Sequence, residues 1–408
     1  MSIDYNKHFQ SCVDAVKSEG RYRVFTTMER IVGRFPYANY HDENGNTKEV
    51  AIWCSNDYLG MGQHPKVIAA SKDAIDSCGA GAGGTRNISG TTYYHVQLER
   101  SVADLHQKEA GLVFSSGYVA NEGALGTLGK LLPDCVMFSD EMNHASMIHG
   151  IRESKCEKYI FRHNDIEHLE SLLKSVDIKR PKIIAFESVY SMDGDIAPIK
   201  EILDLADKYN ALTYLDEVHG VGLYGARGGG VAEERGLIDR VDIIEGTFGK
   251  AYGAMGGFIT GPASILDAIR CYSSVFIFTT SLPPSILAAA HASVEHLKVS
   301  DVERIKHREN VTLFKNMLEA ANLPFLRGES HIVPLIVGEP ICCKEVSDLL
   351  INEYNIYVQP INYPTVPKGT ERLRLTATAA HSQEDVKYMA NTLQNMWENN
   401  HALRSDVA

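Results

Sequence analysis

Residues 245–258 read EGTFGKAYGAMGGF, a single lysine set among glycines, alanines and a few bulky side chains. A phosphate-binding P-loop would need a glycine five residues before Gly249 and a hydroxyl residue straight after Lys250. Position 244 is Ile and position 251 is Ala, so that reading fails twice. A surface lysine in a flexible turn is the plain alternative. Against it stands the context: VDIIEG, residues 241–246, has the pattern of a buried strand, which puts Lys250 just past a strand's carboxyl end. Open α/β sheets bind their ligands there. Small neighbours would leave room for a flat cofactor, and a lysine amine so placed can form a Schiff base with an aldehyde cofactor or a carbonyl substrate.

Outward from that segment, apolar runs alternate with helix-like stretches. GLVFSSG (111–117), CVMFSD (135–140), KYIFRHN (158–164), KIIAFES (182–188), ALTYLDE (211–217) and GGFITG (256–261) read as strands. DIEHLESLLKSV (165–176) and IKEILDLADKYN (199–210) read as amphipathic helices. This alternation predicts an α/β fold with one mostly parallel sheet wrapped by helices. After residue 276 the character changes: a long helical stretch runs to about residue 320. HIVPLIVG (331–338), NIYVQPI (355–361) and RLRLTAT (372–378) then read as strands of a smaller α+β domain. The start of the chain looks like a helical arm plus a hairpin whose tip, DENGN (42–46), carries the Asn44-Gly45 turn signal. The expected division is an arm over 1–50, a large domain over 51–290 and a small domain over 291–408.

Composition narrows the function. Of 408 residues, 44% are hydrophobic and 23% charged, ordinary for a soluble enzyme. Forty Lys and Arg against 52 Asp and Glu give a net charge of −12 without a long basic run, which argues against nucleic-acid or anionic-membrane partners. Eight cysteines occur without a C-x-x-C pair, the usage of a reducing compartment, and no metal site is expected. The first 25 residues contain Asp4, Asp14 and Glu19 and no apolar core, so neither a signal nor a transit peptide is expected, and a cytoplasmic location follows. No stretch is apolar for long enough to span a bilayer.

GAGAGG, residues 79–84, formally matches the dinucleotide fingerprint G-x-G-x-x-G. That motif follows a strand and opens a helix, whereas PKVIAASKDAIDSC (65–78) before it has helical periodicity and Gly79 suits its C-terminal cap. NAD binding is therefore set aside in favour of a loop presenting TRNISGTT (85–92).

Candidate chemistry gathers at other strand ends. Asp216 closes the ALTYLD strand and His219 stands three residues on; His144 follows another strand in SDEMNHASM (139–147). In FSSGYVAN (114–121) a strand gives way to a helix whose first N–H groups could receive a phosphate. Each signal alone is weak; a helix cap or a structural histidine is the commoner reading. Their joint occurrence on one sheet is what points to a site.

Together SSGYVAN, MNHASM, ESVYSMDGD, LDEVHGVGLYG, GTFGKAYGAMGG and FTTSLPP resemble the fold-type I pyridoxal-phosphate enzymes, and among them the α-oxoamine synthases. GRYRVF, WCSNDYLGMGQHP, GGTRNISGTTYYH, IFRHND and YVQPINYPTVPKGTERLR are similar to the branch that condenses glycine with succinyl-CoA, over roughly residues 5–398. The resemblance implies a pyridoxal 5′-phosphate cofactor and a homodimer with active sites at the subunit interface. It implies release of coenzyme A and CO₂ and formation of 5-aminolevulinate, the first step toward haem and other tetrapyrroles. Lys250 would carry the cofactor and act as base, Asp216 face the pyridine nitrogen, His144 stack on the ring and His219 bond its phenolic oxygen. Gly117, Tyr118 and Thr247, with Thr279 and Thr280 of the partner subunit, would hold the phosphate; Asn143 and Ser191 would line the site. Arg374 and Asn56 resemble glycine-carboxylate ligands. Arg23, Thr85, Asn87, Ile88, Ser139, Lys158 and Thr365 resemble residues around succinyl-CoA. Phe248-Gly249 before the lysine also occurs in sister enzymes, so two rivals stand: an enzyme using acetyl-CoA with glycine, and a non-catalytic partner subunit of the same fold.

Overall fold

The computed structural model describes residues 3–399. Residues 400–408, the end of the expected small domain, lie outside the described residues. In chain order the strands are β1 (Thr27–Arg30), β2 (Tyr37–His41), β3 (Thr47–Ile52), β4 (Ala110–Phe114), β5 (Val136–Asp140), β6 (Glu157–Phe161), β7 (Lys182–Glu187), β8 (Ala211–Asp216), β9 (Ile243–Thr247), β10 (Gly257–Gly261), β11 (Val333–Ile336), β12 (Ile356–Tyr357), β13 (Pro360–Ile361) and β14 (Arg372–Leu375). The chain divides into two units, one of residues 56–191 and 195–304, the other of residues up to Ser55, Met192–Gly194 and those from Ile305 on.

The unit containing Lys250 is built on a seven-stranded sheet, order β4-β10-β9-β8-β7-β5-β6. The β6–β5, β5–β7, β7–β8 and β8–β9 pairs are parallel, while β10 runs antiparallel to β9 and β4. Every residue of β5, β7, β9 and β10 is buried, the pattern of strands covered on both faces, which is why they read as unbroken apolar runs. Helices cover those faces. In Ile199–Tyr209, for example, Ile199, Ile202, Leu203 and Ala206 form the buried stripe and Asn210 ends the helix in the left-handed region at φ 51°. The helix before GAGAGG, Pro65–Cys78, ends at Gly79 with φ 78° and no strand leads into the motif, so the dinucleotide fingerprint is absent in structure too.

The other unit carries two small sheets, β1-β2-β3-β12 and β11-β14-β13. Residues 1–50, expected as a separate arm, share this unit with the C-terminal segment because β12 adds in parallel to β3, Ile356 opposite Ala51. NIYVQPI, expected as one strand, is split: Ile356–Tyr357 joins the first sheet and Pro360–Ile361 the second. Pro360 has no N–H to donate, which confines it to an edge position such as β13. The core packs Trp53 against Phe314, centroids 5.0 Å apart, with Leu335, Leu375, Leu393 and Trp397 around them. The long helical stretch is two helices, Pro284–Val299 and Val302–Ala320.

Candidate active site

Parallel register sets the site. Glu187, Asp216 and Glu245 are successive Cα partners at or near the carboxyl ends of β7, β8 and β9, so three carboxylates stand in one row. All are buried, at 2%, 4% and 0% exposure. Asp216 Oδ2 accepts from Asn121 Nδ2 at 2.8 Å and Oδ1 from the Val218 N–H at 2.9 Å. Asn121 also reaches Ser146 Oγ at 3.1 Å and accepts from the Tyr214 hydroxyl at 2.8 Å, fixing its amide. Burial, reinforced by the charge of Asp216, pushes Glu187 and Glu245 well above the usual carboxylate range, although Lys250 pulls both the other way. Glu245 Oε1 has no hydrogen-bond partner among the described residues.

The loop of Lys250 is closed on itself. Phe248 N–H donates to Gly256 O at 2.9 Å, Ala254 N–H to Phe248 O at 2.8 Å and Gly253 N–H to Lys250 O at 2.8 Å. Two of its glycines, Gly253 and Gly257, let backbone pass backbone. A Cβ on Gly253, which has φ 63°, would stand 2.0 Å from Gly62 N, and one on Gly257 would stand 2.4 Å from Gly117 N. The second contact seats the lysine loop against the start of helix Gly117–Leu131, which Ser116 caps by accepting from Val119 N–H. Thr247, the last residue of β9, donates to Gly256 O at 2.8 Å and accepts from Gly249 N–H at 3.2 Å.

These elements enclose a pocket of about 100 Å³ whose walls include Gly117, Tyr118, His144, Asp216, His219, Thr247 and Lys250. His144 caps helix Ala145–Ser154; its N–H donates to Glu187 Oε1 at 2.5 Å, and its Nδ1 lies 2.7 Å from Ser146 Oγ. Burial holds the His144 pKa below its ordinary value, Lys250 adding to that and Asp216 opposing it, so a neutral imidazole faces the pocket. His219 Nδ1 is 2.9 Å from the hydroxyl of Tyr58, which also reaches Asn56 Oδ1 at 3.2 Å.

The remaining expected residues lie elsewhere. Ser139 and Asn143 are buried against each other, Asn143 Nδ2 donating to Ser139 Oγ at 2.9 Å and to Ala185 O at 2.8 Å, and neither lines the pocket. Ser191 follows β7 in a turn. Thr279 and Thr280 line a separate cavity of about 20 Å³ with Arg86, and Thr280 is bridged to Thr85. Asn87 and Ile88 are exposed beside them, and Lys158 lies on the edge strand β6. In the other unit, Arg23 Nη2 is 3.4 Å from Thr365 Oγ1 on a cavity of about 600 Å³, and Arg374 is buried on β14. Sequence reasoning missed Tyr58, Asn121, Glu187 and Glu245. The two glutamates carried the same signal as Asp216, an acid closing an apolar run.

Residues 48–393 match the family of class I and II aminotransferases. The chain is 58% identical over 395 residues to 5-aminolevulinate synthase of Rhizobium meliloti, covering 97% of this chain and 98% of the relative. It is 53% identical to 5-aminolevulinate synthase 1 of Cereibacter sphaeroides, covering 99% and 100%. Among solved structures, serine palmitoyltransferase of Sphingomonas wittichii superposes with a TM-score of 0.89 at 30% identity, covering 97% of each chain. An 8-amino-7-oxononanoate synthase from Francisella tularensis, 23% identical with a TM-score of 0.70 over 85% of this chain and 99% of that one, shares the fold. The fold is that of a fold-type I enzyme of the aminotransferase class. Within that class, the chain belongs to the 5-aminolevulinate synthase family.

Proposed function

We propose that this chain is a pyridoxal-phosphate-dependent acyltransferase that condenses glycine with succinyl-CoA, releasing coenzyme A and CO₂ and forming 5-aminolevulinate for tetrapyrrole synthesis. The observation that carries the reading is the single pocket in which Lys250, Asp216, His219 and His144 meet at the strand ends, in a chain of this family.

The residues fit the cofactor. Buried Asp216 in the pocket wall suits a pyridinium nitrogen, an N-capped helix start with Thr247 in the same wall suits a phosphate, and Lys250 lines the same space. When bound, pyridoxal phosphate supplies the electron sink that lets glycine lose a Cα proton. Lys250 Nζ would hold the cofactor through its aldehyde carbon and would serve as the base for the glycine Cα proton. Asp216, its oxygens fixed by Asn121 and Val218, holds a proton on the ring nitrogen. His144 would cover one face of the ring and exclude water there, Asn143 and Ser191 are proposed as further cofactor contacts, and His219, set by Tyr58, would orient the phenolic oxygen.

Arg374 and Asn56 are proposed for the glycine carboxylate, the planar guanidinium suiting two oxygens at once. Arg23, Thr85, Asn87, Ile88, Ser139, Lys158 and Thr365 are proposed for succinyl-CoA. Thr279 and Thr280 line a cavity other than their own chain's Lys250 pocket, and the chain is proposed to form a homodimer in which Thr279 and Thr280 of the partner subunit complete the phosphate site. Eight free cysteines support a reducing, cytoplasmic setting.

The test is a panel of acyl-CoA esters with glycine, followed by release of coenzyme A and by the aminoketone product. Turnover highest with succinyl-CoA is expected. Preference for acetyl-CoA would move the assignment to a sister enzyme, and no turnover with any ester after reconstitution with pyridoxal phosphate would make the chain a non-catalytic partner.

A further inference from the structure

Away from the Lys250 pocket, the same unit gathers His64, His296 and Glu303, whose ligand atoms lie within 4.8 Å of one another. They come from three helix ends. His64 caps the start of helix Pro65–Cys78, His296 lies in the last turn of Pro284–Val299 and Glu303 in the first turn of Val302–Ala320. The two imidazoles face each other with centroids 4.4 Å apart and an interplanar angle of 36°. His296 Nε2 is 3.0 Å from Glu303 Oε1, and the two side chains are only 11% and 17% exposed.

We propose that this cluster is a binding site for a divalent transition metal of the zinc type, held by His64, His296 and Glu303 with water completing the shell. Two ligand atoms each about 2.1 Å from a tetrahedral metal stand about 3.4 Å apart. The His296–Glu303 pair, now at the hydrogen-bond distance of 3.0 Å, reaches that spacing by opening slightly as the metal replaces the shared proton. The third ligand has to close a gap of at most 4.8 Å, which a rotation of the His64 ring supplies. Two nitrogens and one carboxylate suit zinc, cobalt, nickel or copper rather than calcium or magnesium, which take oxygen donors.

One of the three ligands has a supporting hydrogen bond of the kind that orients metal sites. Ser300 Oγ donates to Glu303 Oε2 at 2.8 Å, leaving Oε1 for the metal. The Lys66 N–H donates to His64 Nδ1 at 3.3 Å, so a metal on this ring either takes Nδ1 in place of that bond or, on Nε2, moves the ring proton to Nδ1 and breaks it. Lys66 Nζ now lies 3.3 Å from His296 Nδ1 on the exposed side. A metal on Nε2 turns Nδ1 into a donor, so the Lys66 amine swings into solvent on binding. The metal joins three helix ends and takes no part in the chemistry of the pocket, so this proposal stands apart from the reading of Lys250.

Co²⁺ is the probe for the test, because its visible d–d bands lie to the red of the cofactor's absorption and a thiolate ligand would announce itself by charge transfer. The dimeric holoenzyme is titrated as wild type, as Glu303→Gln and as His296→Gln. One Co²⁺ per chain is expected, without thiolate bands and competed away by Zn²⁺, with affinity falling roughly tenfold or more in each variant. Zn²⁺ should raise the Tm of wild type but not of Glu303→Gln, and a chelator should reverse the rise. No saturable binding, thiolate bands from an exposed cysteine such as Cys12, Cys78 or Cys271, or undiminished affinity in both variants would overturn the proposal.

Discussion

Two groups of acids stand at the same end of the seven-stranded sheet and meet opposite fates. Asp140 closes β5, and its carboxylate, with that of Asp195 after β7, clasps His163: Nδ1 lies 2.9 Å from Asp140 and Nε2 2.7 Å from Asp195. Tyr190 packs edge-on against the same imidazole, centroids 4.4 Å apart. Burial opposes the charge on His163, but hydrogen bonds to both aspartates more than offset it and raise its pKa to about 10. One strand over, Glu187, Asp216 and Glu245 are as deeply buried, and there burial and the charge of Asp216 raise Glu187 and Glu245 well above the usual carboxylate range while Lys250 opposes the rise. The first group is a closed structural clasp. The second is a row of perturbed acids in the field of Lys250, with Glu187 and Asp216 lining the pocket, and such a row is what the proposed chemistry requires.

The sharpest break in that contrast is Lys250→Ala. It should lower kcat by roughly 10⁴-fold, the upper range for a proton-transfer group. Tm should shift by no more than about 2 °C, because the loop is held by its own backbone bonds. Loss of fold together with activity would mean that the lysine is structural. Asp216→Asn keeps the shape and removes the charge, so kcat/KM should fall about 10³-fold. Since that charge is one cause of the raised Glu187 and Glu245 pKa values, the variant's stability should also depend less on pH in the weakly acidic range.

His163→Gln tests the clasp. Removing the cation strands Asp140 in the interior, at a cost of roughly 3 kcal/mol, the low end for a broken buried pair because Asp195 is 34% exposed. The sign follows from the raised pKa. The stability from His163 is fully present below pH 6.5 and is lost as pH rises through about 10. Denaturant unfolding between those limits should show a falling stability for wild type and a flatter curve for His163→Gln, with kcat little changed.

What the sequence made legible follows the same division. Lys250 and Asp216 were found because a polar residue ending an apolar run is conspicuous, and the parallel sheet because strands buried on both faces leave unbroken runs. Contacts that join distant positions left no local trace: Tyr58 reaches His219 across 161 positions and Asn121 reaches Asp216 across 95. NIYVQPI looked like one strand because apolar content does not say which sheet a residue joins; the proline at 360 held the clue. The glycines around Lys250 were read as making room, when Gly253 and Gly257 are fixed by backbone atoms of Gly62 and Gly117 that sequence proximity does not reveal.

The smallest expected effect discriminates most finely. If Glu245 is held protonated, glutamine is its close isostere in shape and charge, so Glu245→Gln should alter stability at mildly acidic pH by less than about 0.5 kcal/mol and kcat by only a few-fold. The pH dependence carries the proof. A carboxyl whose folded pKa lies above its ordinary 4.5 takes up a proton on folding in the window above that value. Wild type therefore loses stability as pH rises through the window, and the glutamine variant, with nothing to titrate, does not lose that part. Unfolding free energies measured from pH 4.5 upward should thus converge at the acid end, with the variant gaining relative to wild type toward neutrality. Were Glu245 ionised in the fold, the row would hold a second charge. Substitution would then remove a like-charge neighbour of Asp216, and the variant would show no such pH-dependent gain over wild type.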